Sequence, residues 1–172
     1  MGMAIPVAPA APTAPNAPTA PRPVPAAPRW AVLAAHAVTL TTLPAALWRI
    51  GVACGLPLGY TEAGFRRIRG DGWEGPAWLV LLSVLTEAAA LLTLVLVRDW
   101  RLFSPRVTTA IAGTGAVVLA ALWTPFLFWW AVPNAAMTET GHLLVGFVYL
   151  PLVAWAPLLA AVTVNYHRRH RR

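Results

Sequence analysis

Four long apolar segments, separated by short polar stretches, dominate the pattern of the chain. They cover residues 30–54, 77–97, 107–132 and 142–164. Each has the ~20 residues that an α-helix needs to cross ~30 Å of hydrocarbon. A helix satisfies its backbone polar groups internally, whereas a lone strand would leave them unpaired in lipid. The pattern predicts an all-α membrane protein whose four transmembrane helices form a bundle within residues 29–166. The prolines inside these spans predict kinks at residues 44, 125, 151 and 157.

A proline-rich segment precedes the first span. Residues 1–28 contain nine prolines among alanine, threonine and valine, and six of them recur at every third position. This spacing matches the three residues per turn of a polyproline II helix. We interpret the segment as a stiff, disordered cytoplasmic tail, because its composition supplies no packed core. The alternative is a ligand that docks into an aromatic groove of a partner.

Composition agrees with placement in a membrane. The chain is 58% hydrophobic and 11% charged, whereas soluble domains contain about 25% charged residues. The net charge of +7 could suggest nucleic acid as a partner, but the arginines lie beside the apolar spans and form no basic stripe. We therefore expect no nucleic-acid partner. The tryptophans fall where interfacial belts are expected, with Trp30 and Trp100 at one interface and Trp73, Trp78, Trp129 and Trp130 at the other.

The arginines predict the orientation. With four spans, both termini and the 98–106 loop lie on one side of the membrane. That side carries nine arginines against four on the other, which predicts cytoplasmic termini in the cell membrane. The basic tail at 167–172 is expected to contact anionic lipid headgroups through Arg168, Arg169, Arg171 and Arg172. In the first external loop, Phe65, Arg66, Arg67 and Arg69 are expected within a short amphipathic segment.

Glu87 is the main polar residue to explain, because it lies at the midpoint of the second span. An ionised carboxylate there costs several kcal/mol unless it is paired, hydrated or protonated. Ser83 lies one turn earlier, and Thr86, Ala90 and Thr93 form an adjacent edge of small residues, so this face is expected to turn toward protein. The favoured interpretation is a protonated or ion-paired glutamate that fixes helix packing. The alternative is a carboxylate that responds to protons or ions.

Two residues of the first span are candidate partners for Glu87. Arg49 lies toward the outer end and His36 toward the cytoplasm, and the thirteen residues between them place the two on opposed helix faces. We expect Arg49 to face Glu87. The alternative for Arg49 is a side chain that extends to the outer headgroups.

The remaining polar residues predict neither a metal site nor a cofactor. Glu139 and His142 have the Glu-x-x-His spacing of di-iron bundles, but the further carboxylates and the second copy are missing. The single cysteine, Cys54, has no partner for a disulfide. No catalytic motif occurs in the chain, so we expect no enzymatic activity.

Three stretches carry a resemblance to known proteins. They are residues 81–98 (LLSVLTEAAALLTLVLVR), the tetrapeptide Leu122-Trp123-Thr124-Pro125, and the ending that includes Val153-Ala154-Trp155 and Tyr166-His167-Arg168-Arg169. Together they resemble a group of uncharacterised four-span integral membrane proteins from actinobacteria, over roughly residues 30–170. The resemblance implies a bacterial cytoplasmic membrane. It implies no catalytic residue, since that group has no assigned activity.

Three functions remain in order of preference. The first is a non-enzymatic protein that binds a partner, either another membrane protein or a second copy of itself, or serves as a subunit. The second is a small proton- or ion-coupled transporter or channel that uses Glu87 with Arg49. The third is a membrane-embedded enzyme, which would need more polar residues at one depth than the spans supply.

Overall fold

The computed structural model describes residues 24–98, 100 and 103–171. They form the helices α1 (Arg29–Ala53), α2 (Glu62–Arg69), α3 (Glu74–Arg98), α4 (Pro105–Trp123), α5 (Glu139–Tyr149) and α6 (Trp155–Arg171). A 3-10 segment, Thr124–Ala131, continues α4, and a second, Leu150–Ala154, joins α5 to α6. The predicted all-α fold is confirmed. Residues 1–23 of the predicted proline-rich tail lie outside the described residues.

Four helical stretches are long and apolar enough to cross a membrane: Arg29–Ala53, Glu74–Arg98, Pro105–Ala131 and Glu139–Arg171. They match the four predicted spans, and the chain is a multi-pass membrane protein. The second and fourth stretches extend beyond the predicted bounds. Hydrophobicity marks where a helix meets lipid, but backbone hydrogen bonding continues into polar surroundings. The hydroxyl of Thr138, for example, caps α5 by accepting a hydrogen bond from the Gly141 amide.

Prolines interrupt two of the four spans. At Pro125 and Pro151 the helix changes to 3-10 geometry, and Phe128 leaves the helical region with φ −113° and ψ 21°. Proline has no N–H, and its ring clashes with the carbonyl four residues earlier. Pro44 lies inside the continuous helix α1, and Pro157 lies in the first turn of α6. The predicted interruptions are confirmed at residues 125 and 151, whereas α1 accommodates Pro44 without a break.

Helices α1, α3 and α6 form the buried centre. Most of their buried or half-buried positions follow one another in alternating steps of three and four residues, the spacing of helices that pack side by side as in coiled coils. On α1 these are Ala31, Ala35, Val38, Thr42, Ala45, Arg49 and Val52. On α3 they are Leu79, Ser83, half-buried Thr86, Ala90, Thr93 and Val97. On the fourth span they are Leu152, Trp155, Leu159, Val162, Tyr166 and Arg169. The expectation that the small-residue face of α3 turns toward protein is confirmed.

Helix α4 lies at the edge of the bundle. It packs against α6, and within the described chain it has no comparable contact with α1 or α3. Only 6% of its candidate span is buried, against 28–33% for the other three. The order of the long helices across the bundle is therefore α3, α1, α6 and α4. The bundle is open between α3 and α4, although these two helices are consecutive in the chain.

Two loops meet at the end of the bundle opposite the termini, the one between α1 and α3 and the one before α5. They form a cap, which comprises residues 55–61, helix α2 and residues 132–138. Tyr60 and Met137 form an antiparallel β-bridge. The Thr61 amide donates to the Ala136 carbonyl (3.0 Å), and the Thr138 amide donates to the Gly59 carbonyl (2.9 Å). The predicted segment around Phe65 is helix α2, whose arginines Arg66 and Arg67 are exposed. These bonds fix the two loops to each other.

Exposed tryptophans lie at both ends of the bundle. Trp30 (50% exposed) and Trp100 (58%) lie at the end that carries the termini, and Trp73 (77%), Trp78 (58%) and Trp130 (64%) lie near the cap. Trp129 differs from the expected belt position, since it is half-buried and its ring lies 5.0 Å from that of His142. Aromatic rings at the two ends of a helical bundle are typical of the two interfaces of a bilayer.

Gly64 on α2 permits the closest approach within the cap. A Cβ at this position would collide with the backbone of Ala136, whereas one at Gly72, in the same external region, would meet nothing within 4 Å. Gly64→Ala should therefore destabilise the protein by about 1–3 kcal/mol, even though alanine favours helix. Gly72→Ala should change the stability by less than about 0.5 kcal/mol. Thermal unfolding of both variants in detergent checks this, and equal melting temperatures would contradict it.

Candidate functional site

The Arg49 guanidinium lies in the half of the bundle beneath the cap. Its side chain is buried, with 8% of the residue exposed. Its Nε donates to the Tyr149 hydroxyl (3.2 Å), and its Nη1 donates to the Thr86 hydroxyl (3.2 Å). Its Cζ also lies 5.4 Å from the centre of the Tyr149 ring, within cation–π range. Arg49 therefore connects α1, α3 and α5. Its side chain points into the bundle, so the alternative of a side chain that extends to the outer headgroups is wrong.

The expected pairing of Arg49 with Glu87 is wrong. The ion pairs of the described residues do not include this one, and the buried Oε1 of Glu87 has no hydrogen-bond partner. The physical reason is helix geometry: consecutive residues point about 100° apart, and Arg49 takes Thr86 on the seam between α1 and α3. Glu87 then lies to one side of that seam, as an isolated and half-buried carboxyl.

Two further predicted residues have local roles. His36 is exposed, and its Nδ1 bonds to the Val32 carbonyl of the same helix (2.8 Å). Ser83 is buried, and its hydroxyl lies within hydrogen-bond distance of the Leu79 (2.9 Å) and Ala46 (3.4 Å) carbonyls, the latter on α1. His36 and Arg49 do lie on different faces of α1, as expected. The four predicted intramembrane residues therefore do not meet at one site.

Arg169 is buried at the end of the bundle that carries the termini, with 7% of the residue exposed. Its Nη2 donates to the Leu96 carbonyl (2.7 Å), its Nη1 to the Pro25 carbonyl (3.1 Å) and its Nε to Asn165 (3.2 Å). Leu96 is among the last residues of α3, whose carbonyls have no partner within the helix. The positive charge also complements the negative end of that helix.

The headgroup contact predicted for Arg169 is therefore wrong, because this side chain closes the end of α3. Arg168 and Arg171 are exposed on the same helix, and Arg172 lies outside the described residues. The predicted boundary of the disordered tail, at residue 28, is also wrong. Residues 24–28 are described, and the carbonyl of Pro25 binds Arg169. Helix α6 continues to Arg171 without a separate basic tail.

An apolar groove runs between α3 and α4. It encloses about 330 Å³ and is open to the side of the bundle. Small residues occur on both walls, namely Ala89 and Thr93 on α3 and Thr108, Ala112 and Gly115 on α4, with Trp155 and Leu159 between them. Arg98 at the end of α3 and Arg106 at the start of α4 are exposed, each two residues along the chain from a lining residue, Leu96 or Thr108. We call this feature the α3–α4 groove.

His142 and the other potential metal ligands do not assemble a centre. Both ring nitrogens of His142 are buried without a hydrogen-bond partner, beside the Trp129 ring. Within the described ranges, no group of three or more His, Cys, Asp or Glu side chains could hold a metal ion. Glu139 lies in the first turn of α5, where a negative charge favours the helix.

Tyr60, in the cap, lies near Tyr149. Burial raises the pKa of the Tyr60 hydroxyl above its ordinary value of 10.0, and the neighbouring Tyr149 raises it further. The neighbouring indole of Trp48 lowers the pKa of Tyr60 and so partly offsets this rise. The indole N–H itself has no hydrogen-bond partner. Tyr60 therefore lies in the neighbourhood of the hydrogen-bonded pair Arg49 and Tyr149 beneath the cap.

The raised pKa of Tyr60 predicts a loss of stability in alkali. The unfolded chain releases the phenolic proton near pH 10, whereas the folded chain retains it. The unfolding free energy should therefore fall as pH rises from about 10 through the folded pKa. The Tyr60→Phe variant should lack this component, and Tyr166→Phe should keep it. Tyrosinate absorbance and thermal unfolding across this range check both, and an unchanged profile in Tyr60→Phe would sink the prediction.

The contacts of Tyr149 and the burial of Arg169 escaped the sequence reasoning. For Arg169 a signal existed, because it continues the three-and-four spacing of apolar residues along α6. For Tyr149 no pattern stands out, since one hydroxyl among apolar residues reveals nothing about its partner. Comparison with known proteins finds no matching family model, no matching curated protein and no matching solved structure.

Proposed function

We propose that the protein is a non-enzymatic membrane protein that binds a partner, and that the α3–α4 groove receives a transmembrane helix of that partner. The observation that carries this proposal is the position of α4, which among the described helices packs mainly on α6 and leaves the groove open. Helices α1, α3 and α6 provide the fixed part, since Arg49 and Arg169 each hold three segments together.

The walls of the groove favour a helix as the occupant. Transmembrane helices associate where small residues let their backbones approach closely. Ala89 on α3 and Ala112 and Gly115 on α4 supply such positions on both walls. Arg98 and Arg106, at this end of α3 and α4, favour a partner helix that carries a carboxylate at the same end. The partner is therefore expected to combine a small-residue face with an aspartate or glutamate at the membrane boundary.

Two adjacent alanines of α3 provide a matched test. Ala89 is exposed and lines the groove, whereas Ala88 is exposed and lies outside it. Ala89→Phe should fill the groove and leave the core intact, and Ala88→Phe should only add surface to the lipid-facing side. After gentle extraction from native membranes, the wild-type chain and Ala88→Phe should migrate as a complex. Ala89→Phe should migrate as the free 18.4 kDa chain in its micelle.

Three results of this experiment carry distinct meanings. A complex of twice the chain's mass identifies a second copy as the partner. A heavier complex of another composition identifies a different subunit. A wild-type chain that already migrates alone, with a copurified lipid in the groove, contradicts the proposal.

We also propose that the termini are cytoplasmic and the cap is external. The arginine distribution supports this orientation. Cys54, the single cysteine, is exposed at the end of α1 beside the cap. A membrane-impermeant maleimide should label it in intact cells. In a Cys54→Ser background, Arg171→Cys should label only after permeabilisation, and the reverse pattern would invert the orientation. The actinobacterial origin implied by the resemblance stays a prediction.

A proton-coupled transporter is the second candidate, because the buried Oε1 of Glu87 has no partner. A lone carboxyl in hydrocarbon is a recurrent feature of proton pathways. The structure changes one part of this transporter hypothesis, because Arg49 does not pair with Glu87 and is not its counter-charge. Glu87→Gln preserves the shape of the side chain and removes its charge. Equal proton flux for the wild type and Glu87→Gln in proteoliposomes would eliminate this candidate, and a loss of flux would favour it over partner binding.

A further inference from the structure

The guanidinium of Arg49 beneath the cap carries a positive charge that no negatively charged side chain neutralises by an ion pair within the described residues. Its two hydrogen-bond partners, Tyr149 and Thr86, are neutral, and Arg49 belongs to none of the ion pairs in the described part of the chain. A buried charge in a membrane protein is costly unless it is paired. The contact with the Tyr149 ring stabilises the cation only in part.

The hydrogen-bond donors around the Arg49 guanidinium outnumber the hydrogen-bond acceptors. The guanidinium has more N–H groups than its two hydrogen bonds use. The Thr86 hydroxyl donates its own proton to the Leu82 carbonyl (2.7 Å), whereas the Tyr149 hydroxyl accepts from Arg49 and keeps its O–H for another acceptor. Such a surplus of donors around a cation is the chemistry of an anion site.

The position of the group indicates which anion can reach it. Arg49 lies four residues, or about 6 Å, before the end of α1 at Ala53, close to the end of the bundle that carries the cap. In the cap above, Nη1 of Arg69 lies against Gly55, which adds positive charge at the same end. Glu62, the one acidic residue of α2, pairs with Arg66 instead (3.6 Å). The planar guanidinium fork matches the paired oxygens of a phosphate.

We propose that Arg49, with the hydroxyl of Tyr149, binds a phosphate oxyanion beneath the cap. The same chemistry is offered by two sources, the headgroup of an outer-leaflet phospholipid and free inorganic phosphate. None of Arg49, Thr86 and Tyr149 lines the α3–α4 groove, and the site does not rest on the proposed partner binding.

The test uses the full chain in a neutral detergent, stripped of lipid and kept in phosphate-free buffer. Its melting temperature is measured against inorganic phosphate, and separately against mixed micelles of phosphatidylglycerol or phosphatidylcholine, with chloride at matched ionic strength. A ligand that binds only the folded state raises the melting temperature with concentration. The wild type should respond to phosphate or to a phospholipid. Arg49→Gln should lower the apparent affinity at least tenfold, and Arg66→Gln should leave it unchanged.

Tyr149→Phe removes one O–H donor while keeping the ring against Arg49, so it tests the site even if Arg49→Gln does not fold. It should weaken the response by several-fold. A response to both phosphate and phospholipid, or to phosphate alone, supports a site open to the free ion. A response to phospholipid alone supports a headgroup site. No response above the chloride control, or an equal response in the wild type and both site variants, overturns the proposal.

Discussion

Arg169→Met should lower the unfolding free energy by about 1–3 kcal/mol, because it removes the donor from two main-chain carbonyls, the first of which is buried. These carbonyls belong to Leu96, at the end of α3, and to Pro25, ahead of α1. Methionine retains most of the apolar stem of arginine, so the loss reports on the hydrogen bonds and the charge. Equilibrium unfolding with sodium dodecyl sulfate in mixed micelles measures it.

The adjacent arginine supplies the control. Arg168 is exposed on the same turn of α6, and Arg168→Met should change the unfolding free energy by less than about 0.5 kcal/mol. If the two variants unfold alike, Arg169 contacts lipid as the sequence alone suggested, and the closure of α3 by its guanidinium is wrong.

Ala90→Leu should destabilise the protein by about 1–3 kcal/mol through overpacking of the seam between α1 and α3. Ala90 is fully buried there and belongs to the core that includes Ala35, Val38 and Ala45 of α1. Added methylenes push the two helices apart. Because Thr86 lies one turn from Ala90, the hydrogen bond from Arg49 to Thr86 should weaken as well.

A second alanine of α3 separates packing from lipophilicity. Ala88 is exposed, so Ala88→Leu adds the same methylenes without entering the seam. It should leave the unfolding free energy within about 0.5 kcal/mol of the wild type. A similar loss in both variants would mean that α1 and α3 do not pack at Ala90.

The number and order of the spans could be predicted because hydrophobic length alone decides them. The same holds for the small-residue face of α3, whose spacing along the helix is visible in the sequence. The partners of Arg49 and Arg169 could not be predicted in this way. Each partner lies on another helix, and its identity depends on how the helices are rotated and shifted against one another.

The position of α4 shows the same limit. Consecutive transmembrane helices with a short connection are expected to be neighbours, yet α3 and α4 diverge and α4 packs on α6. In the sequence, the apolar surface of α4 does not distinguish lipid from protein, since lipid tails are as apolar as leucine. Only the packing of the whole bundle reveals the groove that this divergence opens.

Site-specific photocrosslinking tests the central claim, the binding of a partner helix in the α3–α4 groove. In a Cys54→Ser background, Ala89→Cys and Ala88→Cys carry a benzophenone maleimide, and irradiation is performed in native membranes. A protein adduct of one defined mass is predicted from position 89 and none from position 88. Lipid adducts alone from position 89, or the same protein adducts from both positions, would contradict the account.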